Sequence, residues 1–298
     1  MNKIKVLVTG ASGLVGSRFI ELAQNKYDFF TPEYPEFDLT DPSSVKNAID
    51  KFNPEWIVNF AAFTDVNAAE TQTGDNTGPA WKINVEGTEN LVNAFPSKKI
   101  IHISTDMVFP GSVEHPGPYS ETDKTPDSPE NLTWYGWTKN RAEKVVLNHG
   151  GTILRIIYPV RAQFDAKLDY IRGAVKKYVD GTMYPLFNDQ QICIAFIDEV
   201  AQTLEKIIDT EKTGIFHCCS DTTTPFELIT YVVDQLGGDP SVIKSSSIHT
   251  FLATQTNKSR YPVFGGLKTV ATEKKLGLHF SAWQTVVEIL IGQGLSLK

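Results

Sequence analysis

The sequence predicts an α/β protein, a doubly wound parallel sheet of the Rossmann type with a smaller C-terminal substrate-binding lobe. Three observations carry this. An apolar run ends at Thr9 and passes through Gly10, Gly13 and Gly16 into a helical pattern of Leu14, Val15, Phe19, Ile20 and Leu22. Apolar strand-like runs then alternate with helix-period segments as far as Ile157, the order that builds parallel sheets. Beyond Pro159 the alternation loses its regularity, which predicts a second lobe.

The first strand hands over to a helix N-terminus, where backbone N–H groups and the helix dipole suit a phosphate. Gly10 is expected to turn tightly and Gly13 to admit a pyrophosphate to the backbone, while Gly16 lets the helix pack close. Ser12, Leu14 and Val15 fall in the same turn. The spacing is G-x-x-G-x-x-G rather than G-x-G-x-x-G, so a ligand-free glycine turn stays open until other residues are counted.

A short second strand, Tyr27 to Thr31, leads into Thr31-Pro-Glu-Tyr-Pro-Glu-Phe-Asp38, a loop with acids and no cation. An acid here suits an adenosine ribose, whereas a cation suits a 2′-phosphate. Glu33 is the candidate and NAD the expected cofactor, with NADP open; a solvated loop acid is the competing reading of Glu33. In Asp38-Leu39-Thr40-Asp41, before a helix from Ser43 to Phe52, helix capping by Thr40 or Asp41 with Pro42 in the first turn competes with an adenine contact. The third strand, Pro54 to Ala62, ends in Ala61 and Ala62, small enough for a cofactor to lie against the backbone. A loop from Glu70 to Gly78 and an amphipathic helix from Ala80 to Ala94 precede the fourth strand, which ends Ser104-Thr105-Asp106. The Pro-, Gly- and Ser-rich stretch 107–131 is too long for a simple connector and reads as an ordered loop. A helix from Leu132 to Leu147 carries Tyr135 and Lys139, the chain's one tyrosine with a lysine four residues on, so both lie on one face. Thr152 to Ile157 is the fifth strand. The expected division is 1–158 as a dinucleotide-binding domain, rejoined by 191–219, with 159–190 and 220–298 as the substrate-binding lobe.

Composition narrows the function classes. With 298 residues, 21% charged and 41% hydrophobic, the chain reads as a globular protein able to bury a large core. Its net charge of −7, without basic clusters, argues against nucleic acid or an anionic membrane as partner. Cys193, Cys218 and Cys219 make no disulfide framework, and no signal peptide or apolar span is evident, so a cytoplasmic location is expected. The six histidines lack metal-ligand spacing, and no metal is expected; His102 and His217 read as core histidines.

A hydroxyl at a strand end, a phenol and an ammonium one helical turn on are the parts needed to reduce a ketone or oxidise an alcohol. Tyrosine has a pKa of about 10 in water, and a nearby ammonium lowers it by favouring the phenolate. Thr105, Tyr135 and Lys139 are therefore the catalytic candidates: Thr105 polarises a carbonyl, Tyr135 exchanges the proton, and Lys139 tunes the phenol and holds a nicotinamide ribose. Each also has a plain reading as a strand end, half-buried packing or a solvated charge.

With these residues assembled, the chain resembles the extended short-chain dehydrogenase/reductase superfamily, and within it the dTDP-4-dehydrorhamnose reductase family. The similar segments are Thr9–Gly16, Asp38–Asp41, Val58–Thr64 with Ala69-Glu70, Asn84–Thr88, Ile103–Phe109, Tyr119–Glu121 and Tyr135–Lys139, with weaker similarity through Asn188–Gln190 and Arg260–Pro262 to Gly277. The resemblance implies Thr105, Tyr135 and Lys139 as a catalytic triad. It implies Gly10, Gly13, Leu14, Val15, Asp38, Leu39, Ala61 and Ala62 as cofactor positions. The departures fall where such enzymes contact the sugar: Met107 stands for a tyrosine, Ile156-Ile-Tyr158 for Thr-Ser-Trp, and Ile192-Cys-Ile-Ala195 for a Gly-x-Pro-Thr element. Met107 and Tyr158, with Arg161 and Arg260 as the cations for an anionic group, are the substrate candidates. The expected activity is reduction of a keto-sugar nucleotide, with a homodimer as the expected assembly. The alternative is a dinucleotide-binding regulatory subunit like the β subunit of methionine adenosyltransferase.

Overall fold

The computed structural model describes residues 3–255 and 261–297. A six-stranded sheet in the order β2-β1-β3-β4-β5-β6 is formed by β1 (Ile4–Thr9), β2 (Tyr27–Phe30), β3 (Trp56–Asn59), β4 (Ile100–Thr105), β5 (Thr152–Ile156) and β6 (Gly214–Cys218). The pairs β1/β2, β1/β3 and β3/β4 are parallel. The order reverses at β1, so the carboxyl ends of β1 and β3 flank a switch point, where open α/β sheets place their ligands.

Between these strands run α1 (Gly16–Ala23), α2 (Pro42–Phe52), α3 (Val66–Glu70), α4 (Pro79–Trp81), a π-helical turn (Lys82–Glu86), α5 (Gly87–Ala94) and α6 (Trp134–His149). Asp41, not Thr40, caps α2, accepting the Ser43 N–H with Pro42 in the first turn. The expected helix from Ala80 to Ala94 exists, but it loosens into the π turn around Asn84.

The chain divides into two compact units. The first comprises residues 1–109, 122–155 and 200–216. In it Leu7, Ile57, Ile100 and Ile153 of the sheet pack with Val45, Ile49, Leu91 and Val146 of the helices. The second comprises 110–121, 156–199 and 217–298. Its core joins Ile171 and Val175 of α7 (Tyr170–Val179), Leu228 and Val232 of α8 (Pro225–Gln235), and Val286 and Leu290 of α9 (Trp283–Gly292). Residues 195–196 pair with Pro159–Val160 in a separate two-stranded sheet, so 191–199 stays with the second unit. The helix Ile197–Thr210 leads the chain back to the first unit at Val200. No helix among the described residues is long and apolar enough to cross a membrane.

Candidate functional site

The turn after β1 has the conformation its glycines require. Gly10 adopts φ +64°, and a Cβ there would lie 2.8 Å from the Ala61 backbone nitrogen, so a side chain is excluded by strain and by contact. A Cβ on Gly16 would meet the Gly10 carbonyl oxygen at 2.5 Å, which draws the start of α1 against the turn. Ser12 and Gly13 are exposed, Leu14 and Val15 half-buried, and no side chain caps α1. An exposed, uncapped helix start is a fit for a phosphate. Ala61 and Ala62, just beyond β3, are half-buried.

The residues expected to meet the adenosine divide. Glu33 is exposed. Asp38 is turned inward on its own loop, where its carboxylate accepts from the N–H and hydroxyl of Thr40, both at 2.8 Å. Leu39 is buried against Gly87, and its carbonyl accepts from Asn90.

Helix α6 has no apolar stripe; it is buried on several sides and tied in by polar pairs. Thr133 caps it, accepting the Gly136 N–H at 2.9 Å, and the Glu70 carboxylate accepts the Trp134 N–H. Thr138 accepts from Asn84, whose side chain also holds the N–H and carbonyl of Phe63. The π turn thus aims Asn84 between the end of β3 and α6. Glu143 and Arg155 form a buried two-pronged pair at 2.8 and 2.7 Å.

Tyr135 and Lys139 lie one turn apart on this helix. Tyr135 is half-buried, packed with Phe63, Trp81 and Trp137 against Ala69, Ala80 and Trp134. Burial and the Asp106 carboxylate push its phenol above the ordinary tyrosine pKa, opposite to the lowering expected from a neighbouring ammonium. The amine is occupied elsewhere: Lys139 Nζ lies 2.7 Å from His102 Nε2 and 2.7 Å from the Ile103 carbonyl oxygen. Burial pulls Lys139 down from 10.5 to about 7, against an upward pull from Glu143. Thr105, buried at the end of β4, donates to Asp106 at 3.2 Å and accepts the Met107 N–H at 3.2 Å. Beside it the buried Ser104 hydroxyl has no hydrogen-bond partner among the described residues, an unmet polar atom near the end of the same strand. Met107 is partly exposed, and its carbonyl is covered by Gly136, where a Cβ would come within 2.1 Å.

The first unit therefore brings Thr105, Met107, Tyr135 and Lys139 to the end of β4 and one side of α6, in the same unit as the glycine turn and Ala61. Tyr158 and Arg161 belong to the second unit. Tyr158 is exposed at φ +38°, a strained value for a tyrosine, with its ring 4.8 Å from that of Tyr170. The Arg161 guanidinium lies over the Phe164 ring at 5.2 Å. Arg260 lies outside the described residues. Sequence reasoning missed Asp106, Asn84 and Asn59 as members of the site and read His102 as core packing; it is buried, but bonded to Lys139. A signal for Asn59 and His102 existed, since a polar side chain inside an apolar strand needs a partner.

Residues 4–295 match the RmlD substrate-binding domain family. A dTDP-4-dehydrorhamnose reductase of Aggregatibacter actinomycetemcomitans is 31% identical over 234 residues, 72% of each chain. The methionine adenosyltransferase 2 subunit beta of Danio rerio is 27% identical over 259 residues, 77% of this chain and 73% of that one. A solved dTDP-4-dehydrorhamnose reductase from Bacillus anthracis str. Ames, in complex with NADP, shares the fold with a TM-score of 0.82 at 21% identity, over 98% of this chain and 99% of that one.

Proposed function

The chain belongs to the RmlD substrate-binding domain family, and from that premise we propose that it is a nicotinamide-dependent reductase acting on the keto group of a sugar nucleotide. One observation carries the reading: a tight glycine turn, a strand-end hydroxyl, a phenol and a buried amine share the first unit, at strand ends and on α6. The reading gives Ser12, Gly13, Leu14 and Val15 the pyrophosphate, Ala61 and Ala62 the nicotinamide half, and Glu33, Asp38 and Leu39 the adenosine end. Bound there, the nicotinamide supplies a hydride. Thr105 turns its hydroxyl from Asp106 to the carbonyl oxygen, and Tyr135, which holds its proton firmly, donates it to that oxygen. Lys139 holds the ribose and, when protonated, favours the phenolate left behind. Met107, Tyr158, Arg161 and Arg260 are assigned to the sugar nucleotide.

Oxidation of NADPH and NADH with a panel of dTDP-4-keto-6-deoxy sugars tests this. Tyr135→Phe is expected to lose about a hundredfold or more in kcat while binding dinucleotide as the unaltered protein does. Unchanged turnover in that variant overturns the mechanism. The likeness to a methionine adenosyltransferase β subunit supports a second reading, a regulatory subunit, which predicts tight dinucleotide binding without turnover on any of the panel.

A further inference from the structure

Beneath the glycine turn a line of buried side chains crosses the sheet from β1 to α6. The Ala61 N–H donates to Thr9 Oγ1 at 3.2 Å, and the Thr9 hydroxyl donates to Asn59 Oδ1 at 2.6 Å. Asn59 Nδ2 faces His102 Nδ1 at 3.0 Å, and His102 Nε2 faces Lys139 Nζ at 2.7 Å. Thr9, Asn59, His102 and Lys139 are each at most 2% exposed, so none can borrow a bond from solvent.

The direction of these bonds is fixed at one end. A backbone N–H can only donate. Thr9 Oγ1 receives it and has a single proton to give, which goes to Asn59 Oδ1. That leaves the Asn59 amide nitrogen against His102, so Nδ1 must accept. A neutral imidazole has one N–H, and it then sits on Nε2, pointing at Lys139. An ammonium has no lone pair to receive it. The reverse arrangement turns the Asn59 amide over. It leaves the Thr9 hydroxyl without its acceptor and removes the contact from Asn59 Nδ2 to Thr88 Oγ1 at 3.4 Å, a cost for buried polar groups.

We infer that His102 is a positioning residue for Lys139, and that Thr9, Asn59 and His102 together hold Lys139 as a neutral amine in the dinucleotide-free protein. The amine accepts a hydrogen bond from His102 Nε2–H on its lone pair, donates one N–H to the Ile103 carbonyl and keeps one for a ligand. The charged groups around it agree. Glu143, on the same helix, is already paired with Arg155 of β5. Asp106, past the end of β4, bears on Tyr135, and Glu70 of α3 is bound to the Trp134 N–H. Burial keeps His102 itself from charging.

The inference rests on the reductase reading only for its kinetic arm. Long-range proton–nitrogen NMR of the full-length, dinucleotide-free protein at about pH 8, where unperturbed histidines are neutral, is expected to show His102 as the Nε2–H tautomer, assigned by loss of its signals in His102→Gln. An Nδ1–H tautomer or an imidazolium overturns the inference. In the kinetic arm His102→Gln, whose amide N–H can reach Nζ, is expected to retain turnover. His102→Phe is expected to lose about tenfold or more in kcat with little change in KM and a displaced pH profile. A folded His102→Phe protein with the original kcat and pH profile also overturns it. If His102→Phe does not fold, the tautomer decides. An Nε2–H tautomer in a protein that turns over no sugar nucleotide sinks the reductase reading and keeps this one.

Discussion

Replacing Lys139 by methionine isolates the energetic consequence of burying an amine. The native pKa is about 7 against 10.5 for the free side chain, so between those values the native state holds fewer protons than the unfolded chain. Stability must therefore rise with pH across that window and level off below it, where both states hold the proton. The slope is about 1.4 kcal/mol for each pH unit, or about 3 kcal/mol between pH 7.5 and 9.5. Methionine fills a similar volume and does not titrate. Urea unfolding of the two proteins at several pH values gives the difference directly, and histidine titration largely cancels because both proteins keep all six histidines. The expected result is a Lys139→Met protein more stable than the original near pH 7, with its advantage shrinking by about 3 kcal/mol as pH rises to 9.5. The same difference at every pH would mean that Lys139 titrates normally in the fold, and the argument from its burial would fail.

Glu143→Gln removes the carboxylate charge from the buried pair with Arg155, and unfolding at neutral pH is expected to show a loss of about 3–5 kcal/mol. Gly136→Ala drives a methyl into the Met107 carbonyl oxygen, where a Cβ would stand at 2.1 Å; a loss of about 2 kcal/mol or more and reduced turnover are expected, from denaturation curves and the NAD(P)H assay. Titration with NADH and NADPH reads the loop at Glu33, which lacks a cation, and NADH is expected to bind more tightly. Clearly tighter NADPH binding would refute that use of Glu33.

The first unit was legible because its elements are long enough to show a period and because its strand ends carry distinctive residues. The apolar runs ending at Thr9, from Pro54 to Ala62 and from Ile100 to Asp106 read as strands, and strands Ile4–Thr9, Trp56–Asn59 and Ile100–Thr105 form there. The second unit was less so. Its strands Leu186–Phe187, Ala195–Phe196 and Ser245–Ser246 are two residues long, too short for an alternation to appear. Before Ala195 the chain pairs through single bridges, Gln191 with Phe264 and Ile192 with Thr223.

Within the site, spacing along one helix put Tyr135 and Lys139 on one face, but not their charge states. Those depend on partners far apart in sequence: His102 lies 37 residues from Lys139, and Asp106 reaches Tyr135 across the loop between β4 and α6. A motif names the groups that react, whereas their protons are governed by what is buried around them. Here burial moves the two pKa values in opposite directions, the phenol up and the amine down, because each is held toward its neutral form. With a pKa of about 7, the lysine of the dinucleotide-free protein is mostly neutral above neutral pH and only partly the cation that would ease the tyrosine's proton away. For the proposed reaction the ammonium needs a proton taken up from solution, because Tyr135 spends its own on the substrate oxygen and a neutral His102 has none to give without becoming an imidazolate.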